Sequence, residues 1–208
     1  MRLDLLLVRR GLFSSRQRAK YSIKKGAVIV NGKTIRKPST QVDPNARIQI
    51  LGEERPRGYW KLREIDRFFN LFKGEEIVLD LGSSAGGFLL YASERSKFVY
   101  GIEYSKNFEN SLLSISRRRD NVRVFIDDCF NFNLDVLPKL DLILDDLSLP
   151  FSSSFTALKR FLPKLKDDGR ILFVHKIGDN QEPFFENLKV LNSFKSKNKK
   201  EVYYLLKK

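Results

Sequence analysis

A glycine-rich segment near the middle of the chain has the residue types that a nucleotide site needs. It reads Asp80-Leu81-Gly82-Ser83-Ser84-Ala85-Gly86-Gly87-Phe88 and follows the apolar run 77–79. Glycines at a turn from strand to helix let the backbone pass close to a bound nucleotide. Three residues separate Gly82 from Gly86, so the G-x-G-x-x-G spacing that holds a dinucleotide pyrophosphate is absent. The segment therefore predicts a nucleotide-like cofactor and disfavours a hydride-transfer enzyme.

Acidic residues follow the next two apolar runs. Glu103 ends the run 98–103, where a carboxylate can accept both hydroxyls of an adenosine ribose. Asp128 follows the run 122–126 and is placed to meet an adenine amino group, with Asp127 as a weaker alternative. These positions favour a cofactor that contains adenosine.

Charged residues also end two later apolar runs. Asp145 and Asp146 follow 140–144, and Lys176 follows 170–174. The carboxyl edge of a parallel sheet is the default position for ligands and catalytic groups. Either aspartate could face this edge, and we favour Asp146. His175 is expected to pack or to face solvent.

The spacing of apolar runs predicts the elements that carry these residues. Strand patterns alternate with helix-length stretches, as in a doubly wound α/β sheet. The predicted strands cover residues 77–80, 98–103, 122–126, 140–144, 170–174 and 201–206.

Length and charge limit the classes of protein. The 208 residues suit a domain of roughly 150 residues and a second of about 50. Of the first 50 residues, 12 are Lys or Arg and two are acidic, which accounts for +10 of the formal net charge of +14. So concentrated a positive charge favours nucleic acid as partner. No apolar stretch reaches the ~20 residues of a membrane span and no secretory signal is recognisable, so we expect a cytoplasmic protein. The single cysteine excludes an internal disulfide and a cysteine-based zinc cluster, so we expect no metal site.

The N-terminal residues predict a small α+β domain. Leucines at helical spacing stop at Gly11, and Ser14 with Gln17 has capping-box spacing for a second helix that ends near Lys25. Strands are expected around 28–30, 34–35 and 48–50, with a tight turn at Asn31-Gly32.

The second helix is expected to carry a cationic strip. Arg16, Lys20 and Lys24 recur every four residues and share one face, whereas Ala19 and Ile23 can turn inward. No acidic residue lies between Asp4 and Asp43, although a merely solvated helix would normally include some.

Motifs of this region resemble the small RNA-binding domain named after the fourth small-subunit ribosomal protein. They are Arg2-Leu-Asp-x-x-Leu, Gly11-Leu-x-x-Ser-Arg16, Ile23-x-x-Gly26-x-Val28-x-Val30-Asn31-Gly32 and Lys37-Pro38-Ser39. The resemblance implies structured RNA, often ribosomal, as the partner. The residues that we predict to contact RNA are Arg2, Arg10, Arg16, Arg18, Lys20, Lys24, Lys25, Asn31 and Lys37.

The remainder of the chain resembles methyltransferases that use S-adenosylmethionine, and more narrowly the FtsJ and TlyA groups that methylate ribose 2′-hydroxyls of RNA. The segment from Gly82 to Phe88 is very close to the TlyA form of the cofactor loop. The resemblance implies a Rossmann-like sheet and a cofactor site. The predicted cofactor residues are Asp80, Gly82, Ser83, Ser84, Gly86, Gly87, Phe88, Glu103 and Asp128.

The same resemblance implies a catalytic tetrad of the order Lys-Asp-Lys-Glu. The matching residues are Lys61, Asp146, Lys176 and Glu201. Methyl transfer from a sulfonium is an in-line displacement that needs an aligned and activated oxygen. A lysine can serve as the base only if burial and a second positive charge lower its pKa. Our hypothesis is that Lys176 contacts the 2′-hydroxyl while Lys61, Asp146 and Glu201 set its position and protonation.

We therefore expect an RNA-binding domain over 1–51, a linker over 52–58 and a methyltransferase domain over 59–208, acting on ribosomal RNA or a ribosomal subunit. One alternative is a non-catalytic RNA-binding protein with a degenerate methyltransferase fold. Another is a TlyA-like haemolysin, and the lack of a membrane-length apolar segment argues against it. A base or small-molecule methyltransferase is a third, but the Asn/Asp-Pro-Pro-aromatic loop typical of base amino methylation is absent after the fourth strand. Tyr59 and Trp60 could stack on a base or pack in the core.

Overall fold

A computed structural model describes residues 1–13, 15–51, 55–178, 182–197 and 199–208. Its backbone divides into two units, Met1–Arg55 and Pro56–Lys208. Of the predicted linker 52–58, residues 52–54 lie outside the described residues, and residues 57 and 58 belong to a helix of the second unit.

The N-terminal unit has the predicted elements. Helices α1 (Leu3–Arg9) and α2 (Arg16–Lys24) precede strands β1 (Val28–Val30), β2 (Lys33–Ile35) and β3 (Ile48–Ile50), which form an antiparallel sheet in the order β2-β1-β3. Ala19 and Ile23 are fully buried, so the prediction of the inward face of α2 is confirmed. Ser15 caps this helix by accepting a hydrogen bond from the Arg18 amide. Ser14, the residue predicted for the cap, lies outside the described residues.

The C-terminal unit is built on one sheet of seven strands. Its helices are α3 (Arg57–Phe69), α4 (Gly87–Ser93), α5 (Glu109–Ser116) and α6 (Phe151–Phe161). Its strands are β4 (Ile77–Leu81), β5 (Phe98–Glu103), β6 (Val122–Ile126), β7 (Leu140–Asp145), β8 (Leu165–Lys176), β9 (Lys189–Lys195) and β10 (Glu201–Lys207).

The strand order β6-β5-β4-β7-β8-β10-β9 places the ends of several strands at one edge. Strands β4 to β8 pair in parallel, and β10 pairs antiparallel with β8 and β9. The chain moves outward from β4 on one side and returns to β7 on the other, which creates the crevice where ligands of such sheets bind. The fold is thus mixed α/β with a Rossmann-like, mostly parallel sheet, as predicted.

Alternating residues of the strands fill two apolar layers, one on each face of the sheet. Val78 lies in the layer with residues of α3, α4 and α5, whereas Leu79 lies in the layer with residues of α6. Leu142 and Ile143 divide in the same way. This alternation follows from the two-residue period of a strand. Because both faces are covered, the strand interiors are continuous apolar runs, and this is why the sequence revealed them.

Two connections differ from the predicted helix-length stretches. Only a 3-10 turn, Leu134–Val136, interrupts the connection between β6 and β7. Strand β9 was not predicted at all. It lies at the edge of the sheet and pairs with β10 alone, and most of its residues are exposed. An edge strand with little burial has no regular apolar pattern by which the sequence could mark it.

Candidate functional site

The glycine-rich turn joins β4 to α4 in a conformation that needs small residues. Gly82, Ser84 and Gly86 have positive φ angles of 79°, 50° and 78°. A Cβ atom on Gly86 would lie 2.1 Å from the Ile115 side chain, and one on Gly82 would lie 3.1 Å from Leu147. The turn therefore depends on glycine both for its backbone angles and for its close neighbours.

Asp80 precedes this turn as a buried carboxyl. The residue is 0% exposed, and neither carboxyl oxygen has a hydrogen-bond partner among the described residues. Burial raises its pKa from 3.8 to about 8. A buried polar group without a partner is unusual in a native protein. A cationic ligand group, such as the α-ammonium of an amino acid, would pair with this carboxyl, so Asp80 fits the predicted cofactor.

Glu103, at the end of β5, is tied to the glycine-rich turn. One carboxylate oxygen accepts from the Ser84 amide at 2.7 Å and the other from the Ser105 amide at 2.7 Å. Each oxygen retains acceptor capacity, so the carboxylate is held in place and can still accept ribose hydroxyls. Asp128 accepts from the Phe130 amide at 2.9 Å and the Asn131 side chain at 3.0 Å, while Asp127 is exposed.

Three predicted cofactor residues have packing contacts instead of an open surface. The Ser83 hydroxyl is buried and donates to the Asp80 carbonyl at 3.2 Å. A Cβ on Gly87 would lie 2.6 Å from the Gly58 Cα, so these two glycines allow α3 and α4 to pack closely. Phe88 belongs to the buried core, and its ring centroid lies 5.7 Å from Lys61 Nζ. Ser83, Gly87 and Phe88 thus have packing contacts within the fold, and their contact with a cofactor stays a prediction.

Each lysine of the predicted tetrad lies within ion-pair distance of both carboxylates. Asp146 accepts from Lys61 Nζ at 2.7 and 2.8 Å and from Lys176 Nζ at 2.5 Å. Glu201 lies 3.0 Å from Lys61 Nζ through one oxygen and 3.0 Å from Lys176 Nζ through the other. The two lysines and the two carboxylates therefore form a closed ring in which the charges alternate.

Four different elements supply the ring. Lys61 lies on α3, which the contact between Gly58 and Gly87 holds against α4. Asp146 follows β7, and Lys176 is the last residue of β8. Glu201 begins β10 directly opposite Lys176 in the antiparallel register. Since β10 runs opposite to β8, its first residue lies at the same edge as the carboxyl ends of the parallel strands.

Tyr203 supports the ring but was not predicted from sequence. Its hydroxyl donates to Glu201 Oε2 at 3.0 Å, and its ring centroid lies 5.8 Å from Lys61 Nζ. Glu201 and Tyr203 lie on the same face of β10 because they are two positions apart. The two-residue spacing of Glu201 and Tyr203 in a predicted strand was the signal available for Tyr203. Gly58, next to the predicted start of the domain, was the signal available for the close approach of α3 to α4.

The two lysines of the ring have opposite pKa shifts. Burial lowers the pKa of Lys61, and the positive charge of Lys176 adds to this. Burial also acts to lower the pKa of Lys176, but the carboxylates of Asp146 and Glu201 outweigh it, so the value is raised. The hypothesis from sequence placed the lowered pKa on the lysine that touches the hydroxyl, whereas in the structure Lys61 carries it. The cause is burial, since the Lys61 side chain is 5% exposed and that of Lys176 is 31% exposed.

Of the two adjacent aspartates, only Asp146 contacts the lysines in the described structure. Asp145 is 0% exposed and accepts from the Ser154 hydroxyl at 2.9 Å and the Leu147 amide at 3.2 Å. Burial raises its pKa to about 7.

Three aromatic side chains that sequence left open have distinct positions. Tyr59 is buried and donates to Glu94 at 2.7 Å. Trp60 is 50% exposed, with the Arg63 guanidinium 5.3 Å from its ring centroid. His175 is buried, and its ring meets that of Phe151 edge-on.

The N-terminal unit has a buried carboxylate that organises part of its basic surface. Asp4 is 0% exposed and accepts from Arg2 Nε at 3.0 Å and Arg16 Nη2 at 3.1 Å. The hydrogen bond from Arg2 is the main cause that lowers the pKa of Asp4 to about 2. The two arginines thus come from the start of α1 and the start of α2 to the same anchor, while their side chains stay 39% and 48% exposed.

Two other predicted RNA contacts are also used within the fold. The Arg10 guanidinium donates to the carbonyls of Pro44 and Ala46, and the Asn31 side chain accepts from the Arg47 amide at 2.9 Å. The remaining predicted basic contacts are exposed apart from Arg18, which is half-buried. They are Lys20, Lys24, Lys25 and Lys37.

Comparison with family models assigns both units to known domain types. The model described as the S4 domain matches residues 1–48, and the model described as FtsJ-like methyltransferase matches residues 55–176. An uncharacterised protein of Methanocaldococcus jannaschii is 32% identical over 152 residues, which are 69% of this chain and 41% of that protein. YqxC of Bacillus subtilis, a proposed rRNA methyltransferase, is 30% identical over 169 residues, which are 79% of this chain and 58% of that protein. The chain therefore spans about half the length of these curated relatives.

Among solved structures, a proposed hemolysin from Streptococcus thermophilus has a similar fold. Its match covers 100% of this chain and 88% of the hemolysin, with a TM-score of 0.62 and 22% sequence identity. At this identity the likeness concerns the fold alone. Across the described residues of the present chain, every helix is too short or too polar to cross a bilayer.

Proposed function

Because the chain belongs to the FtsJ-like methyltransferase family and begins with an S4 domain, we propose that it methylates ribose 2′-hydroxyls of RNA with S-adenosylmethionine as donor. The observation that carries the proposal is the ring of Lys61, Asp146, Lys176 and Glu201 beside the glycine-rich turn. Ribosomal RNA is the substrate class we favour, because a relative with 30% identity is named for rRNA methylation.

The proposed cofactor residues offer complementary groups for each part of S-adenosylmethionine. Asp80 would hold the α-ammonium of the methionine part, Glu103 the ribose hydroxyls and Asp128 the adenine amino group. The cofactor would lie against the turn from Gly82 to Gly86. When bound, S-adenosylmethionine supplies an electrophilic methyl group on a positively charged sulfur. All other steps depend on the residues of the chain itself.

Lys176 is the residue of the ring that we assign to the substrate hydroxyl. Its side chain is the most exposed of the four at 31%, so it can reach an RNA strand while Asp146 and Glu201 hold its Nζ. As an ammonium, Lys176 would donate to the 2′-oxygen and position it for in-line attack. It could take up the hydroxyl proton only after giving up one of its own.

Lys61 provides a place for that proton. Its pKa is lowered, and it shares Asp146 Oδ1 with Lys176. We infer that reaction starts when Lys61 is neutral. The 2′-oxygen would attack the methyl carbon while the carbon–sulfur bond breaks and its electron pair goes to the sulfur. A Lys176 proton would pass by way of Asp146 to Lys61, and the hydroxyl proton would take its place on Lys176. The ring then returns to two ammonium groups and two carboxylates, and the proton leaves to solvent before the next cycle.

The decisive test is Lys176→Ala with ribosomal RNA from cells that lack the gene. We expect loss of 2′-O-methylated nucleoside, measured by mass spectrometry of digested RNA, with unchanged S-adenosylmethionine affinity by calorimetry. Lys97→Ala, at an exposed position before β5 and so at the opposite edge of the sheet, is the matched control. Retained turnover in the Lys176 variant would refute the assignment, and absence of cofactor binding in the unmodified protein would refute the enzymatic proposal.

A further inference from the structure

A second feature of the C-terminal unit is a groove between α3 and β9 that combines aromatic and basic side chains. We name it the α3–β9 groove. It has a volume of about 410 Å³. Its lining residues are Glu64, Arg67, Phe68, Phe194, Lys195 and Lys197.

Two phenylalanine rings form the apolar part of the groove. Phe68 is 55% exposed, and its ring centroid lies 4.3 Å from that of Phe194. Phe194 is held in place by two further rings, since its ring centroid lies 5.1 Å from that of Phe69 and 4.9 Å from that of Tyr203. A large exposed ring on a rigid base resembles the aromatic platforms on which single-stranded nucleic acid bases stack.

The groove is connected to the tetrad through two elements. Phe68 follows Lys61 by seven residues on α3, so both lie on the same side of the helix. On the sheet, Phe194 pairs with Tyr203 and Lys195 with Val202, the residue next to Glu201. The Tyr203 hydroxyl then bonds Glu201 at 3.0 Å. The Tyr203 side chain therefore contacts both Phe194 of the groove and the Glu201 carboxylate of the tetrad.

The charge of the groove favours a polyanion. Arg67, Lys195 and Lys197 are exposed, and within the described ranges none of them forms a salt bridge. Glu64 is the single acidic residue of the lining. Cations that are not neutralised by neighbouring carboxylates attract phosphates, whereas an apolar protein segment would gain little from them.

We propose that the α3–β9 groove binds an unpaired nucleotide of the RNA that flanks the methylated ribose, with its base on Phe68 and its phosphates near Lys195 and Lys197. The proposal rests on the proposed function for the position of that nucleotide. It assigns to the catalytic unit a substrate contact separate from the basic surface of the S4 domain. The groove would hold the strand in register while Lys176 meets the neighbouring 2′-hydroxyl.

Photo-crosslinking of the full-length protein to an unstructured polyuridine oligomer that contains 4-thiouridine tests the groove. Mass spectrometry of the digested product identifies the attached peptide. We expect crosslinks at Phe68 or Phe194, lost in Phe68→Ala and retained in Phe68→Tyr, which keeps a stacking ring. S-adenosylmethionine affinity reports that the Phe68→Ala protein is folded.

A charge-matched pair of variants tests the basic part. Lys195→Glu with Lys197→Glu should lower groove crosslinking at least several-fold and raise the KM for RNA, while kcat at saturating RNA changes less. Lys73→Glu with Lys97→Glu changes the net charge equally, but both positions are exposed and precede β4 and β5, at the opposite edge of the sheet. Equal effects of both pairs would overturn the proposal.

The outcomes separate the groove from the enzymatic proposal, because crosslinking needs no methyl transfer. Groove crosslinks without a 2′-O-methylated product would leave the groove standing as an RNA surface and refute the proposed function. Methylation with crosslinks confined to the S4 domain would refute the groove. If sedimentation instead showed a dimer that Phe68→Ala converts to a monomer, the occupant would be a second copy of the chain, and the proposal would be wrong.

Discussion

Lys61 and Lys176 share one oxygen atom, Asp146 Oδ1, which lies 2.7 Å from the first Nζ and 2.5 Å from the second. The residues are far apart in sequence, yet one carboxylate holds both amines. This arrangement makes the two lysines a coupled pair whose protonation is shared through Asp146.

Lys61→Met should abolish most of the methyl transfer even though Lys61 is too buried to meet the substrate. Methionine fills a similar volume but cannot accept a proton, so we expect the rate to fall by about 100-fold or more, the usual range for loss of acid–base catalysis. The measurement is single-turnover methylation with saturating RNA. A variant that kept its rate while Lys176→Ala lost it would exclude a proton route through Lys61.

The rate should rise with pH and level off below the ordinary pKa of lysine, because Lys61 must be neutral and its pKa is lowered. Glu201→Gln removes a negative charge that raises the pKa of Lys61, so the rising limb should move to lower pH. A full pH profile of kcat in both proteins measures this. A limb that stayed in place or moved to higher pH in the variant would contradict the assignment.

Glu201 should also stabilise the fold against acid, as denaturant unfolding of both proteins between pH 2 and 7 would measure. Burial acts to raise its pKa, but Lys61 and Lys176 outweigh it and hold the value at about 2, below the usual 4.5. Its ionised form therefore stabilises the fold above pH 4.5, and this contribution is lost as pH falls toward 2. Glu201→Gln should flatten the acid side of the stability profile.

Gly87→Ala should displace Lys61, although Gly87 is not itself part of the tetrad. The added Cβ would lie 2.6 Å from both Gly58 Cα and the Tyr59 amide nitrogen, so α3 must move away from α4. We expect a loss of about 1–3 kcal/mol in the free energy of unfolding, typical of overpacking, together with a large fall in kcat because Lys61 moves with α3. Denaturant titration measures the first effect. Glu64→Ala, on an exposed part of α3, should leave stability nearly unchanged.

Asp80→Asn should separate stability from cofactor binding. The pKa of Asp80 is raised from 3.8 to about 8, so ionisation opposes folding as pH rises through that interval. The asparagine variant should therefore gain stability relative to the unmodified protein between pH 4 and 8, most of all at the upper end. Its affinity for S-adenosylmethionine should fall about tenfold or more, because a charged hydrogen bond contributes roughly 1.5–3 kcal/mol. Unchanged affinity in calorimetry would remove Asp80 from the cofactor site.

The fold was largely predictable because its signals are local. Buried parallel strands are continuous apolar runs, and the turn from Gly82 to Gly86 has a composition that few other structures require. Strand β9 escaped prediction, since an edge strand with exposed side chains has no such pattern. The packing contacts of Gly87 and Phe88 were not predicted either, because the neighbours Gly58 and Lys61 lie on α3, distant in sequence.

By itself, the sequence determined the apolar periods, the glycine-rich turn, the basic N-terminal region and the types of the four residues in the tetrad. Only the tertiary structure decided that Asp146 and not Asp145 contacts the lysines, and that Lys61 and not Lys176 has the lowered pKa. It also decided that Phe68 and Phe194 meet. The physical reason is that periodicity and turn preference act between near neighbours, whereas burial and Coulomb interaction sum over residues that strand order and helix packing bring together.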